Sequence, residues 1–433
     1  EDLADVVTDR GIRIVSLMHV GGDGWLKTLD FVPRSRAHLL DVIRAGERAD
    51  GSSLFKGMGI RTGASDIVLR PRPGTAFLDP FSPHETLAIL CSHTGREGNP
   101  LPESPDTIVR RAHARLRDEL GVDLWALGEV EYFLGKRATE SDIYGQSERG
   151  YHATSPFVFG ERLRREAMAL LAGLGVHFRY GHSEVGYVEP EAPDNLIWEQ
   201  HEVELALAPL PEAADGIALT QWVLRNLAHR YGMRLSFRPI LRVGHAGSGL
   251  HFHMSPVVDG EPRGGRDDDG EFHDAAKWLI GGLVRLGGAL MAFGNREDGS
   301  FTRLRQGKEA PTAVTWGEFD RRGLVRLPVV PMDAEGKPVS TPTIEFRLPD
   351  GSAHPHLLLA GVAQAMVLGS RTDGLDALLA ASNASAAKVQ PGGAAAVPNS
   401  RAEVSEAVAA LRDVFEAGDV FPGVLMDRVL AER

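Results

Sequence analysis

The order of apolar and polar positions divides the chain into strand-like and helix-like segments. Residues 11–33 alternate in strand fashion through Ile12, Ile14 and Leu17, then Trp25, Lys27, Leu29 and Phe31, with Gly21, Gly22 and Gly24 predicting a hairpin turn. A short helix is expected over 36–47, a polar loop at Asp50-Gly51-Ser52-Ser53, and strands over 66–70 and 85–92. The stretch Gly95–Asp106, rich in Gly, Pro and Glu, reads as a boundary between a small module, residues 1–100, and a larger one, 101–433. Beyond it, amphipathic periodicity predicts helices near 106–119, 159–173, 212–231, 273–294, 355–369 and 402–416, with strands between them. Ser141–Ser155 and Asp259–Gly270 read as loops, and Ala380–Ser400 as an irregular connection. No repeat of solenoid period is present.

One stretch breaks the ordinary strand pattern. Leu124 to Leu134 reads L-W-A-L-G-E-V-E-Y-F-L, and alternate residues of a strand face opposite sides. One face carries Leu124, Ala126, Val130, Tyr132 and Leu134; the other carries Trp125, Leu127, Glu129, Glu131 and Phe133. A solvated face does not bracket its acids with Trp, Leu and Phe. Two buried like charges about 7 Å apart along a strand are costly unless a cation, a donor or a proton compensates them. Metal ligation is the reading that satisfies both.

Other segments add to it. Gly249-Leu250-His251-Phe252-His253-Met254-Ser255 sets His, His and Ser opposite Leu, Phe and Met. Ile344-Glu345-Phe346-Arg347-Leu348 sets Glu and Arg opposite an apolar face, and Gly181-His182-Ser183-Glu184-Val185 and Glu199-Gln200-His201-Glu202-Val203 offer further carboxylates. Alone, a Glu-x-Glu pair fits a surface strand and a His-x-His pair fits a satisfied core as readily as a ligand site. Together, in apolar strands, they predict a polar, concave sheet floor holding Mg²⁺ or Mn²⁺, because the ligands are mostly oxygen. Such ions usually serve phosphate chemistry. Arg303, Arg305, Arg321, Arg322, Arg326 and Arg347 lie in the C-terminal half, where forked guanidinium groups suit carboxylate and phosphoryl oxygens. Arg305 and Arg322 fit a solvated face better. The glycines at 244, 247 and 249 do not open a helix after a strand, so a dinucleotide fingerprint fails.

Composition narrows the picture. The 433 residues are 43% hydrophobic and 24% charged, enough for two globular domains, and the net charge of -12 argues against a nucleic-acid partner. A single cysteine, Cys91, excludes an internal disulfide and a multi-cysteine zinc site. No apolar run approaches membrane-spanning length in the sequence, so no membrane is expected and the cytoplasm is the expected location.

The collinear series D-G-S-S, E-V-E-Y-F-L, H-S-E-V, Q-H-E-V, A-H-R-Y-G, G-S-G-L-H-F-H-M-S, R-L-x-x-G-K-E-A-P, R-L-P and I-E-F-R-L-P-D resembles bacterial type I glutamine synthetase, from about Ile12 to Val420. The resemblance implies an α+β fold: a small β-grasp N-terminal domain, then a catalytic domain whose curved antiparallel sheet forms a half-barrel flanked by helices. It implies a homo-oligomeric ring, a dodecamer in the family, with active sites shared between neighbours. By the same resemblance, Glu131, Glu184 and Glu202 match one metal's ligands, and Glu129, His251 and Glu345 those of the metal bridging the phosphates of ATP. Gly247, Arg303, Glu309 and Arg347 match glutamate-side positions, with Glu309 on a flap. Arg321 and Arg326 match phosphate-contacting arginines, and His253 and Ser255 the nucleotide side. Asp50, Ser53 and Tyr151 match an ammonium pocket, with Asp50 serving the adjacent subunit. The implied reaction is ATP-dependent amidation of the γ-carboxylate of glutamate by ammonia through a γ-glutamyl phosphate.

Several positions depart from that pattern. Residues 187–198, with Glu189, Glu191 and Asp194, separate H-S-E-V from Q-H-E-V, either as a surface loop or as an acidic rim favouring a larger cationic amine. Ala246 stands where the family has Asn, Thr343 where many members have Arg, and Arg179 where a nucleotide-side Glu is common. The tail around Ala380–Ser400 has no Tyr for adenylylation, and the chain stops at Arg433 without the extension that laces rings together, so a looser ring is expected. The alternatives are a γ-glutamyl-amine or polyamine ligase of the same fold, and a catalytically silent scaffold or binding protein. The intact ligand set argues against the silent form.

Overall fold

The computed structural model describes residues 2–60, 62–139, 149–384 and 395–431; parts of the expected loops at Ser141–Ser155 and Ala380–Ser400 lie outside them. The N-terminal sheet runs in the order Leu26–Phe31, Ile14–Val20, Thr86–Thr94, Asp66–Pro71, Glu47–Asp50. The expected hairpin forms, with Leu17 opposite Leu29, and the helix Arg36–Ala45 is capped by Ser35, whose hydroxyl accepts from the His38 amide. The polar segment after Asp50 is not a plain loop. Asp50 caps a four-residue helix, Gly51–Leu54, by accepting from the Ser52 amide.

The helix Pro105–Leu120 leads into the larger sheet. Pro105 at its first turn lacks an amide proton that would go unused there, and Gly121 at φ 65° closes the other end by donating to the Arg117 carbonyl. The second sheet comprises ten strands among the described residues, along the path Ala313–Glu318, Gly323–Leu327, Ile344–Phe346, Leu250–Val258, Asp123–Arg137, Leu196–Leu205, Phe178–Val188. Its pairings are antiparallel except the edge pair Ala313–Glu318 with Gly323–Leu327, which is parallel. The mixed α/β architecture with a curled half-barrel sheet agrees with the expected fold class.

Helices Pro105–Leu120, Leu210–Arg230, Asp274–Gly294 and Pro355–Ser370 cover the apolar face, where Val130, Tyr132, Leu250, Phe252, Met254, Ile344 and Phe346 are buried. The expectation that no apolar run reaches membrane-spanning length is corrected here. Asp274–Gly294 is 21 residues long, with mean hydropathy 1.3 in its most apolar window. It is a core helix. A Cβ on Gly282 would sit 1.9 Å from the Ala365 carbonyl oxygen, and one on Gly369 1.9 Å from that of Trp278. Glycines on both helices therefore let Asp274–Gly294 and Pro355–Ser370 cross at backbone contact. The expected helix 402–416 is split at Leu411 into Arg401–Ala410 and Arg412–Glu416.

Arg72, just past the strand Asp66–Pro71, links the N-terminal sheet to the helices Leu210–Arg230 and Pro355–Ser370. Its guanidinium lies 2.6 Å from Asp215, which also lies 3.0 Å from the His356 ring. Burial opposes ionisation of Asp215, yet Arg72 and His356 hold it well below the usual carboxylate range.

Candidate active site

Sheet register assembles the site. Tyr180, Glu204, Glu129 and His251 stand opposite one another on four adjacent strands, and His182, Glu202 and Glu131 form a second row on three of them. A third row runs from Arg326 to Glu345 to His253. Because side chains alternate along a strand, these rows project the same way, opposite the apolar face that holds the helices. All of them except the fully buried Glu204 line a cavity of about 250 Å³.

Three groups of ligand-capable atoms within 4.8 Å of one another form there: Glu129, His251 and Glu345; His182, Glu184 and Glu202; and Glu129, Glu202 and Glu204. The first is the expected trio. The second joins His182 to the expected Glu184 and Glu202, while the expected Glu131 stands in the same row. Glu131 accepts hydrogen bonds from the Gln200 side chain and the Gly249 amide, each at 2.8 Å. His182 and Glu204 escaped the sequence reading although each sits two residues from a chosen glutamate, on the same strand face; that alternation was the available signal.

The electrostatics suit a cation. Burial and the facing Glu131 push Glu184 up to about 8, and burial with Glu129 and Glu131 nearby raises Glu202 well above the usual range. Burial opposes the charge on Glu129, but His253 and His251, whose rings lie 2.9 and 2.8 Å from it, hold it well below its ordinary value. His253 in turn is raised to about 8; burial works against this and Glu129 overcomes it. Crowded acids held partly by protons and imidazoles are a donor set that a divalent ion fits.

The arginines divide by position. Arg326 lies 2.8 Å from Glu345 and Arg347 pairs with the same carboxylate; both line the cavity. Arg321, also lining it, lies 3.3 Å from Glu309, whose backbone takes a positive φ of 53°. Arg347 also donates to the Glu309 carbonyl at 3.0 Å, tying that loop to the sheet. Arg303 is buried outside the cavity lining, donating to the Leu348 carbonyl at 3.2 Å and to His251 Nε2 at 3.3 Å. The Gly247 carbonyl accepts from Gln200 at 2.9 Å, and a Cβ there would meet the Pro239 carbonyl oxygen at 2.5 Å, so only glycine fits.

Some expected residues are not brought to this cavity. Ser255 is fully buried and absent from the lining. Asp50 and Ser53 lie away from it in the N-terminal module, where hydrogen bonds from Ser53 and Ser52 hold Asp50 well below the usual carboxylate range. Tyr151 does line the cavity. It stacks on His152 at 4.2 Å and meets His182 edge-on at 5.3 Å. These three rings and Tyr180 also line an adjoining cavity of about 470 Å³. Thr343 accepts or donates at 3.0 Å with His253, and Arg179 pairs with Glu204.

Residues 187–198 form the end of a hairpin, with Val188 opposite Trp198. Residues 189–195 at its tip form an exposed surface turn whose two glutamates face basic side chains. Glu191 lies 2.9 Å from Arg242 and Glu189 3.8 Å from His245. Gly244, between them, bonds to the Gln306 and Lys308 side chains, so the tip is linked to the segment carrying Glu309.

Residues 102–430 match the family model described as glutamine synthetase, catalytic domain. A glutamine synthetase of Neisseria gonorrhoeae is 30% identical over 350 residues, covering 74% of this chain and 70% of its own length. That of Frankia alni is 28% identical over 466 aligned positions, covering 99% and 93%. Among solved structures, Plasmodium falciparum glutamine synthetase superposes with a TM-score of 0.82 at 18% identity over 99% of this chain and 94% of its own. A structure described as a GmaS/ADP complex superposes with a TM-score of 0.78 at 19% identity over 100% and 95%. Sequence and architecture together define an ATP-dependent carbon–nitrogen ligase. The chain belongs to the glutamine synthetase family.

Proposed function

We propose that this enzyme uses ATP to activate the γ-carboxylate of glutamate and joins it to ammonia, through a γ-glutamyl phosphate. The observation that carries the reading is the convergence of Glu129, His251 and Glu345 with His182, Glu184 and Glu202 on one small cavity rimmed by Arg321, Arg326 and Arg347. A carboxylate is a poor electrophile, and phosphorylation turns it into an acyl donor. These groups would hold Mg²⁺ or Mn²⁺, two or more ions per site, which when bound would supply charge neutralisation for phosphoryl transfer.

The chain's own residues do the rest. Arg326 and Arg347 balance charge on the transferring phosphoryl group, with Arg321 beside them, and His253 lies on the nucleotide side. Arg303 and Gly247 shape the amino-acid end. Glu309 closes over the intermediate and keeps water from it. Ammonium sits against Tyr151 and Glu184 and gives its proton to Asp50, contributed with Ser53 by a neighbouring subunit of the ring. The cytoplasm, where ATP and glutamate are plentiful, is the proposed location.

A second reading is a γ-glutamyl-amine ligase. The adjoining cavity of about 470 Å³, walled by Tyr151, His152, Tyr180 and His182, favours it, because aromatic faces attract organic ammonium groups. Phosphate release with glutamate, ATP and Mn²⁺ tests both readings, with ammonia against methylamine, ethanolamine and putrescine as donors. Release that depends on glutamate and is fastest with ammonia supports the first. Faster turnover on an amine moves the protein to the second, and dependence on another acid removes both.

A further inference from the structure

A second cavity, of about 710 Å³, lies between the N-terminal hairpin at Asp23–Trp25, the C-terminal half of Leu210–Arg230 and the end of Asp274–Gly294. None of its lining residues lines the candidate active site. Its volume falls in the range of small-molecule sites.

Its charge stands out on an acidic chain. Arg225, Arg238, Arg296 and Arg401 line it with Asp23 and Glu297; Asp23 is matched by Lys27 at 2.7 Å, Glu297 lies 3.8 Å from Arg238, and Arg401 pairs with Asp298 at 2.8 Å. Arg225 is the unusual member. Its guanidinium carbon lies 5.2 Å from the Trp25 ring and 4.7 Å from that of Phe237, and among the described residues no carboxylate lies within ion-pair distance of it. Its side chain is exposed at the cavity and packs against those two rings. A guanidinium already seated on aromatic faces and lacking an acid partner is prepared to receive an anion, and exposed Trp25 offers a face for a flat ring.

We propose that this cavity is an effector site for a small planar anion, an aromatic ring bearing a carboxylate or a phosphate, anchored by Arg225. Phe301 in its wall belongs to the helix Asp298–Gln306, which carries Arg303 two residues on. Asn295, also in the wall, donates at 2.9 Å to the same Leu348 carbonyl that accepts from Arg303. A ligand pressing on Phe301 and Asn295 therefore shifts the group that backs His251, and the affinity for glutamate follows. This last step rests on the ligase reading above; the binding site does not.

The test uses the assembled full-length enzyme with ADP and glutamate saturating the catalytic site. Equilibrium dialysis follows two probes, indole-3-acetate for the carboxylate and AMP for the phosphate, on wild type, Arg225→Gln and Trp25→Ala. At least one probe binds saturably to wild type, and the successful arm identifies the anion. Arg225→Gln weakens it roughly tenfold, the size of one charge-assisted contact, while turnover without probe is unchanged. In wild type the bound probe shifts the KM for glutamate more than about twofold, and in Arg225→Gln it does not. Absence of saturable binding, or equal binding by Arg225→Gln, overturns the site. An unchanged KM at full occupancy overturns the effector role. If the enzyme turns over no glutamate at all while probe binding still depends on Arg225, the ligase reading fails and the site stands.

Discussion

His251 Nδ1 lies 2.8 Å from Glu129 Oε2, across two strands whose register sets the residues directly opposite each other. Glu129 also meets His253 at 2.9 Å, so this one carboxylate links the imidazole strand to the acidic strand. Glu129→Ala removes the group shared by two of the three ligand sets. ATP turnover is expected to fall by roughly a thousandfold or more, which corresponds to several kcal/mol of charge stabilisation. The melting temperature should move by only about 5 °C, because relief of repulsion with Glu202 and Glu204 offsets the lost imidazole partners. A coupled ATPase assay and thermal denaturation measure both; unchanged turnover contradicts the assignment.

Metal affinity should depend on pH in a defined direction. Glu184 titrates near 8 in the folded chain against an ordinary 4.5. Between those values the folded state holds a proton that the unfolded chain has lost, so this group's contribution to metal-free stability declines as pH rises from about 4.5 to 8. An ion must displace that proton, so Mn²⁺ affinity rises across the same window. Calorimetric titration in buffers of different ionisation enthalpy should detect about one proton released per ion at neutral pH. A pH-independent affinity with no proton release contradicts this.

The hairpin tip at residues 189–195 bears on the segment carrying Glu309 through Arg242 and Gly244. The Glu191–Arg242 pair is too exposed to matter much to stability, and Arg242→Gln should cost less than about 1 kcal/mol. Replacing 189–195 by a two-residue turn is expected to loosen the Glu309 segment and admit water, raising the ratio of phosphate released to amide formed severalfold. Parallel phosphate and amide assays decide; an unchanged ratio shows that the tip does not act on the flap.

The Arg72–Asp215–His356 cluster predicts a stability effect remote from the chemistry. Asp215→Ala leaves the largely buried Arg72 with only the more distant Asp106, 3.9 Å away, and should destabilise by about 3 kcal/mol. Because the folded Asp215 has a depressed pKa, its contribution is present above the ordinary aspartate range and is lost on acidification below it. Chemical denaturation at neutral and acid pH should show the wild-type advantage shrinking with acid.

Much of this site was legible in the sequence because strand alternation is strict. Glu129, His251, Glu345 and Arg347 could be placed on polar faces from spacing alone, and the structure brings them together. What spacing does not reveal is how neighbouring strands are registered. Register sets His182, Glu202 and Glu131 in one row, and hydrogen bonds from Gln200 and the Gly249 amide then occupy Glu131. The buried character of Asp274–Gly294 was likewise hidden, because it depends on Gly282 meeting a helix more than seventy residues away. The hairpin at 187–198 read as loop or rim for the same reason: its partners, Arg242 and His245, are distant in sequence.

The central claim is that these strands hold divalent ions where ATP activates a carboxylate. Crystals grown with Mn²⁺ and a non-hydrolysable ATP analogue, with data collected at the manganese edge, test it directly. The expected result is anomalous density for one ion among Glu129, His251 and Glu345 and for another beside Glu184 and Glu202, with the triphosphate reaching toward Arg326 and Arg347. Anomalous peaks lying elsewhere on the chain, or none in this cavity with nucleotide bound, would contradict the account.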